Sequence, residues 1–355
     1  MINKLKGFSL LVSLGLCAVL FAQQPYYNGL NLGLTGLSLK STLAQRITTT
    51  HTTQLTYSDV WVALKQTDLD PSNTNNVLLL YGYNDSDGNF MTDRTRSKNT
   101  TDNGTATLGL WNREHTYAKS LANPSMVTNT PSAGTDAHHL RACDKQMNSS
   151  RASKKFATGS GNAGNSGSNW YPGDEWKGDV ARMMMYMYLR YPSQCNPTDV
   201  GTGSSVAIDD MITLFLDWNA QDTVSQYEKN RNTILETEQG NRNPFIDNPY
   251  LATLIWGGTI AQDNWNLTSV KENELENAFS IYPVPSKNGD VHVYFNSNEK
   301  LDVLELYNVS GQKIKTIETP KFDNNEFVFK GLPKGFFVLK ARLGNSIVTK
   351  KIIIN

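Results

Sequence analysis

At 355 residues the chain is longer than one typical domain, and two are expected. Its formal net charge is zero, so no overall field draws it to a polyanion and any nucleic-acid signal must be local. With 39% apolar and 10% aromatic residues, the composition excludes a disordered chain and suits a packed core with large polar loops.

Lys4 and Lys6 precede an apolar run from Phe8 to Phe21, and the small Ala22 follows. A basic flank, a short apolar core and a small residue predict a secretory signal peptide over 1–22, since the run is short for a bilayer span. No later run approaches membrane length. With Cys17 removed, Cys143 and Cys195 remain, and an oxidising compartment predicts a disulfide between them.

From Pro25 to Ile47 spaced leucines predict a segment that ends as an amphipathic helix. Ser58–Lys65 reads as a helix start capped by Ser58 or Asp59. Val77–Tyr83 is a strand-prone apolar run, and residues 85–107 are polar enough for a loop. Residues 159–168, GSGNAGNSGS, read as a flexible connector. Lys177–Tyr191 is dense enough in apolar residues for a largely buried helix, its methionines filling core space. Val206–Trp218 and Val224–Thr237 predict two more helices, residues 239–249 a turn, and Tyr250–Trp256 a closing helix stopped by Gly257. Past residue 258 the composition changes. A linker over 263–277 is expected, and from 278 to 355 short alternating runs separated by turn residues predict a small β-sandwich. The expected fold class is α+β: a mostly helical body over 23–262 followed by an all-β domain.

The stretch Trp111–Lys155 carries the chemistry. Hydrolysis of a phosphodiester needs a base for water and positive charge for the pentavalent phosphorus and leaving oxygen. Glu114 is a hard-oxygen ligand, and His115 a base that is ready near neutrality. Asn148 adds a neutral oxygen donor, a sparse set that suits magnesium, which keeps waters and binds substrate phosphate. On a strand Glu114 and His115 face opposite sides, so both reach one phosphate only where the strand twists or ends. Lys145, Arg151, Lys154 and Lys155 form a local cationic run opposed only by Asp144. His138, His139 and Cys143 compete as zinc ligands, although their spacing matches no closed structural set. By residue types alone a Glu–His pair is by default a solvated surface pair.

Four segments change that default. WNREHTYAKS, TDAHHLRACDKQMNSSR, WKGDVARMMMYMYLRY and EQGNRNPFIDNP, in this order within residues 55–257, resemble the bacterial endonuclease I family. The resemblance implies a ββα-metal active site in a secreted nuclease that cuts DNA, and RNA as well, with little sequence specificity. It implies that His115 is the general base, that Glu114 and Asn148 are the metal ligands with Asn148 on the helix, and that Mg2+ is the cation, with Ca2+ or Mn2+ in its place. Arg151 matches the arginine after the helix ligand, with a phosphate or structural role. The family's arginine near the scissile phosphate has no counterpart in residues 116–137, which leaves Lys119, Arg141 and Arg113 as candidates and Lys145 as a further phosphate contact. FSIYPVP, LYNVSGQKI and GLPKGFFVLKAR resemble a type IX secretion sorting domain, which implies a translocon partner and release from, or attachment to, the cell surface. The alternative is a noncatalytic extracellular binding or adhesion protein on the same scaffold.

Overall fold

The computed structural model describes residues 24–102, 104, 108–267, 275–297, 299–344 and 346–355. The leader expected over 1–22 lies outside them, as do residues 268–274 of the expected linker. Within that linker Asn264 and Trp265 pack back on the first body, the Trp265 ring 4.9 Å from Tyr27 and Asn264 bonded to the Asp247 carbonyl.

The first body opens with α1 (Gly36–Thr49), which buries Leu39, Leu43 and Ile47 at helical spacing. Helix α2 (Asp59–Thr67) follows, and the Asp59 carboxylate ties its entry by accepting from the Thr56 amide and hydroxyl. Strands β1 (Leu69–Asp70), β2 (Asn73–Leu78) and β3 (Thr95–Ser97) make a small antiparallel sheet. Thus the expected strand over 77–83 begins earlier and stops at Leu78, because the chain then turns out of the sheet, the Leu80 amide donating to the Ala142 carbonyl. The expected loop over 85–107 supplies β3.

Strands β4 (Trp111–His115) and β5 (Leu140–Asp144) pair antiparallel, and α3 (Lys145–Arg151) follows at once. Residues 159–168 are not a bare connector, since β6 (Gly164–Ser166) and β7 (Asn169–Tyr171) form a hairpin there.

Helix α4 (Lys177–Arg190) is buried from Gly178 to Leu189, and α1 and the later helix over Thr213–Gln221 pack on it. A helix buried on every side belongs at the centre of a body, and here Met183, Met184, Met185 and Met187 fill that core. Then come α5 (Pro197–Val200), α6 (Thr213–Gln221), α7 (Gln226–Gln239), α8 (Pro244–Asp247) and α9 (Tyr250–Trp256). Residues 206–212 stay irregular, so α6 starts later than its apolar pattern predicts. Gly257 ends α9 at φ +74°, a left-handed stop that favours glycine.

Cys143 and Cys195 are separate buried thiols, which corrects the expected disulfide. Cys143 is committed elsewhere, its Sγ donating to the Leu80 carbonyl at 3.3 Å, and both sulfurs pack as small apolar groups in the core.

The C-terminal part is all β apart from a short lead-in turn. Strands β8 (Phe279–Tyr282), β9 (Val291–Phe295), β10 (Val303–Asn308), β11 (Lys313–Glu318), β12 (Glu326–Phe329), β13 (Gly335–Leu343) and β14 (Ser346–Ile354) fall where the alternation predicts them. They form the sheets β11-β10-β13-β14 and β12-β9-β8. Val291, Val293 and Phe295 of one meet Phe337, Leu339 and Ala341 of the other in one core.

Candidate active site

Strand β4 divides the site by its alternation. Asn112 and Glu114 face α3, whereas Trp111, Arg113 and His115 face α2 and the loop before β5. Register pairs Glu114 with Arg141 and His115 with Leu140, which leaves His115 as the last residue of its strand. The end of a strand is where neighbouring side chains can serve one substrate from two sides. Helix α3 is launched directly off β5 because the Asp144 carboxylate accepts from the Gln146 and Met147 amides, while its other oxygen pairs with Arg96 at 2.5 Å.

On the α3 face, Glu114 is 2% exposed. Its Oε1 accepts from the Tyr81 hydroxyl at 3.1 Å and lies 3.3 Å from the Arg151 guanidinium. Burial pushes the Glu114 carboxyl up to about 7, against the pull of Arg151 and Tyr81. Asn148 donates from Nδ2 to Asn112 Oδ1 at 2.7 Å, which fixes the carboxamide and turns Asn148 Oδ1 away from Asn112. Arg151 is 1% exposed and also donates to the carbonyls of His115 and Thr116, at 3.0 and 2.8 Å. It pins α3 to the end of β4.

On the other face, His115 Nε2 lies 2.9 Å from the Gly134 carbonyl. A carbonyl only accepts, so this nitrogen carries the hydrogen and Nδ1 keeps its lone pair. Burial, with His139 and the cations Lys119 and Arg113 nearby, holds the imidazolium well below the usual histidine range, so the ring is neutral. The loop that offers the carbonyl is tight. A Cβ on Gly134 would stand 2.3 Å from the Val127 oxygen. Behind it, the Asp136 carboxylate accepts from Tyr186, Tyr191 and Gln239, and Gln239 Oε1 accepts from the Ala137 amide at 2.7 Å.

The expected cations separate. Arg141 is 1% exposed and bound to Asp68, Asp179 and Tyr227, so its charge is met inside the body. This corrects the expectation that Arg141 and Arg151 contact substrate phosphate, because both guanidinium groups are buried on internal partners. Arg113 lies 3.4 Å from the Tyr57 ring centroid and 4.2 Å from that of Trp61, half-buried. Lys145 pairs with Asp102 at 2.9 Å, Lys154 and Lys155 reach neighbouring oxygens, and Lys119 is exposed beside His115.

The zinc alternative is not assembled. His138 turns to Asn241, His139 to the Ala133 carbonyl and Cys143 to Leu80. Among the described residues no three His, Cys, Asp or Glu side chains gather into a metal cluster. Glu114 and Asn148, the residues expected to hold a hard cation, stand on the same face of β4. Their chemistry fits such an ion, because the carboxylate is buried with a single guanidinium to offset it. Tyr81, Asn112 and Gly134 escaped the sequence reading. Of these only Asn112 carries a signal, two residues before Glu114 on the same strand face.

A neutral imidazole thus stands at a strand end, one backbone step from a buried carboxylate on the opposite face. The Endonuclease I family model matches residues 35–250, and the secretion system C-terminal sorting domain model matches 280–355. The chain is 43% identical over 264 residues to the extracellular ribonuclease of Bacillus subtilis (strain 168), covering 70% of this chain and 85% of that one. It is likewise 43% identical over 246 residues to the extracellular ribonuclease of Bacillus amyloliquefaciens, covering 66% of this chain and 78% of the relative. The chain belongs to the endonuclease I family: it is a secreted nuclease carrying a C-terminal type IX sorting domain.

Proposed function

We propose that the protein is a divalent-cation-dependent endonuclease that hydrolyses DNA and RNA outside the cell with little sequence specificity. The observation that carries the reading is the His115 hydrogen bond to the Gly134 carbonyl, which leaves Nδ1 free to take a proton from water. Deprotonated water attacks phosphorus in line with the leaving oxygen. Glu114 and Asn148 hold the cation, Mg2+ in the first instance and Ca2+ or Mn2+ in its place. When bound, such a cation supplies positive charge to the pentavalent phosphorus and the leaving oxygen. Lys119 and Arg113 are the cations on the His115 side and face the incoming phosphate. The ribonuclease names of the two relatives favour RNA as a substrate, and the endonuclease family favours DNA. Residues 1–22 direct export, 23–262 form the nuclease body, 263–277 link it, and 278–355 engage the type IX translocon before release or surface attachment.

Supercoiled plasmid and a structured RNA, each incubated with the full chain in magnesium or EDTA, test this directly. Both polymers are cut in magnesium and spared in EDTA. Equal rates in EDTA would refute the cation, and cutting of one polymer alone would remove the other from the substrate range.

A further inference from the structure

We infer that Tyr81 is a positioning residue for the cation site: its phenol anchors Oε1 of Glu114 so that Oε2 is the oxygen presented to the cation. The inference rests on the proposed reading of Glu114 as a ligand.

Tyr81 lies where the chain leaves β2, with φ at +73°. That left-handed conformation is rare and unfavourable for a bulky side chain, so its surroundings must impose it. They do so from both sides. The Leu80 amide donates to the Ala142 carbonyl at 2.8 Å and the Leu80 carbonyl accepts from Cys143, which fastens the segment along β5. On the other side Gly82 passes so near the next segment that a Cβ would stand 2.1 Å from the Asp93 oxygen, and its carbonyl accepts from Trp176 at 2.9 Å. Held between these points, the Tyr81 ring is fully buried edge-on to Trp170 at 5.5 Å.

The hydroxyl of this constrained ring reaches one oxygen of Glu114, and Arg151 reaches the same oxygen. Oε2 takes no hydrogen bond among the described residues. Asn148, one turn before Arg151 on α3, stands on the same face of β4. A carboxylate with one oxygen held by a phenol hydrogen bond beside a guanidinium charge, and the other left open, is oriented as a single-oxygen ligand, and groups that hold a ligand in this way tune its affinity.

Tyr81→Phe keeps the ring and removes only the hydroxyl. Mn2+ binding to the full chain, followed without substrate by the loss of the free-ion EPR signal, reads the cation site apart from turnover. The expected result is affinity weakened by about 10–100-fold, with the melting temperature in EDTA close to wild type. Unchanged Mn2+ affinity in Tyr81→Phe overturns the inference. So does a Tyr81→Phe chain that no longer folds, because the hydroxyl would then hold the fold rather than orient a ligand. Glu114→Ala separates the two levels. If it binds Mn2+ as wild type does, Glu114 is not a ligand and both fall; if it loses binding while Tyr81→Phe keeps it, only the role of Tyr81 falls.

Discussion

The two faces of β4 treat their functional side chains in opposite ways. Toward α3, Glu114 meets a phenol that donates to it and a guanidinium charge, which favour the carboxylate form while burial opposes it. Toward the loop at 133–139, His115 meets a carbonyl, another imidazole and an aromatic ring, with no carboxylate against it. Had both side chains shared a face, the carboxylate would stabilise the imidazolium and hold the proton that a base must be free to accept. Strand alternation keeps the two groups apart at the cost of one peptide unit. On the proposed roles, the contrast lets adjacent residues hold a cation and accept a proton without neutralising one another.

The comparison breaks most sharply at His115. His115→Ala is expected to lower kcat by about 10²–10⁴-fold while leaving Mn2+ affinity intact, because the cation-holding oxygens lie on the other face. A parallel loss of Mn2+ binding would show that the faces are not independent. Glu114→Ala is the converse: Mn2+ affinity falls beyond the roughly 100-fold that marks a supporting group. In that variant the His115 ring should keep its Nε2–H tautomer, read from imidazole 15N shifts. A scrambled tautomer would show the carboxylate acting on the base.

Arg151 bridges the faces, since it touches Glu114 on one and the backbone carbonyl of His115 at the strand end. Replacing it by methionine leaves a buried carboxylate without its counter-charge and two carbonyls without their donor. A loss of about 3–5 kcal/mol in urea unfolding is expected for breaking a buried pair of this kind. A loss of only ~1 kcal/mol, as for exposed pairs, would mean that water satisfies these groups and that α3 is held by other contacts.

How far this arrangement was legible in the sequence differs between the two parts of the chain. In the C-terminal sheets period-two alternation decides both strand and face, and all seven strands were readable from runs such as VHVYF. In the nuclease body, α4 and α9 were equally plain, from dense apolar content and the stop at Gly257. Residues 79–83 misled because an apolar run is strand-prone whether or not a partner continues. Here β3 pairs only as far as Leu78, and the chain turns at Tyr81. The hairpin at 164–171 was hidden under glycines and asparagines that read as a connector. Within the site, Glu114 and His115 were visible as a pair, and Asn148 stood out through the resemblance of its segment to the endonuclease I family. Tyr81 and Gly134 were not, because they arrive from 33 and 19 residues away and act through one hydroxyl and one carbonyl. Arg141 and Arg151 looked like surface charge for a related reason: Asp68 and Asp179, the acids that bury Arg141, lie far from it in sequence.

The smallest expected effect tests the loop that supports the His115 face. Burial lowers His138 and His139 to about 4, against the upward pull of Asp136 on both. The unfolded chain takes up these protons near pH 6.5 and the folded chain only near 4. Their contribution to stability is therefore complete above pH 6.5 and lost as pH falls toward 4, by up to about 1.4 kcal/mol per pH unit for each histidine. Glu114 and Asp222, raised to about 7 and about 6, act in the opposite direction because the folded state binds their protons first. The whole-protein slope mixes both signs, so the informative quantity is a difference. Urea unfolding of wild type and His138→Gln at pH 7, 6 and 5 should show a shallower acid loss in the variant, whose amide can still donate to Asn241. Parallel curves would mean that His138 takes up its proton in the folded protein as readily as in the unfolded chain. The 136–139 segment would then gain a charge beside Asp136 as the pH falls through 6.5, and in acid the loop that supports the His115 face would rest on an ion pair rather than on neutral hydrogen bonds.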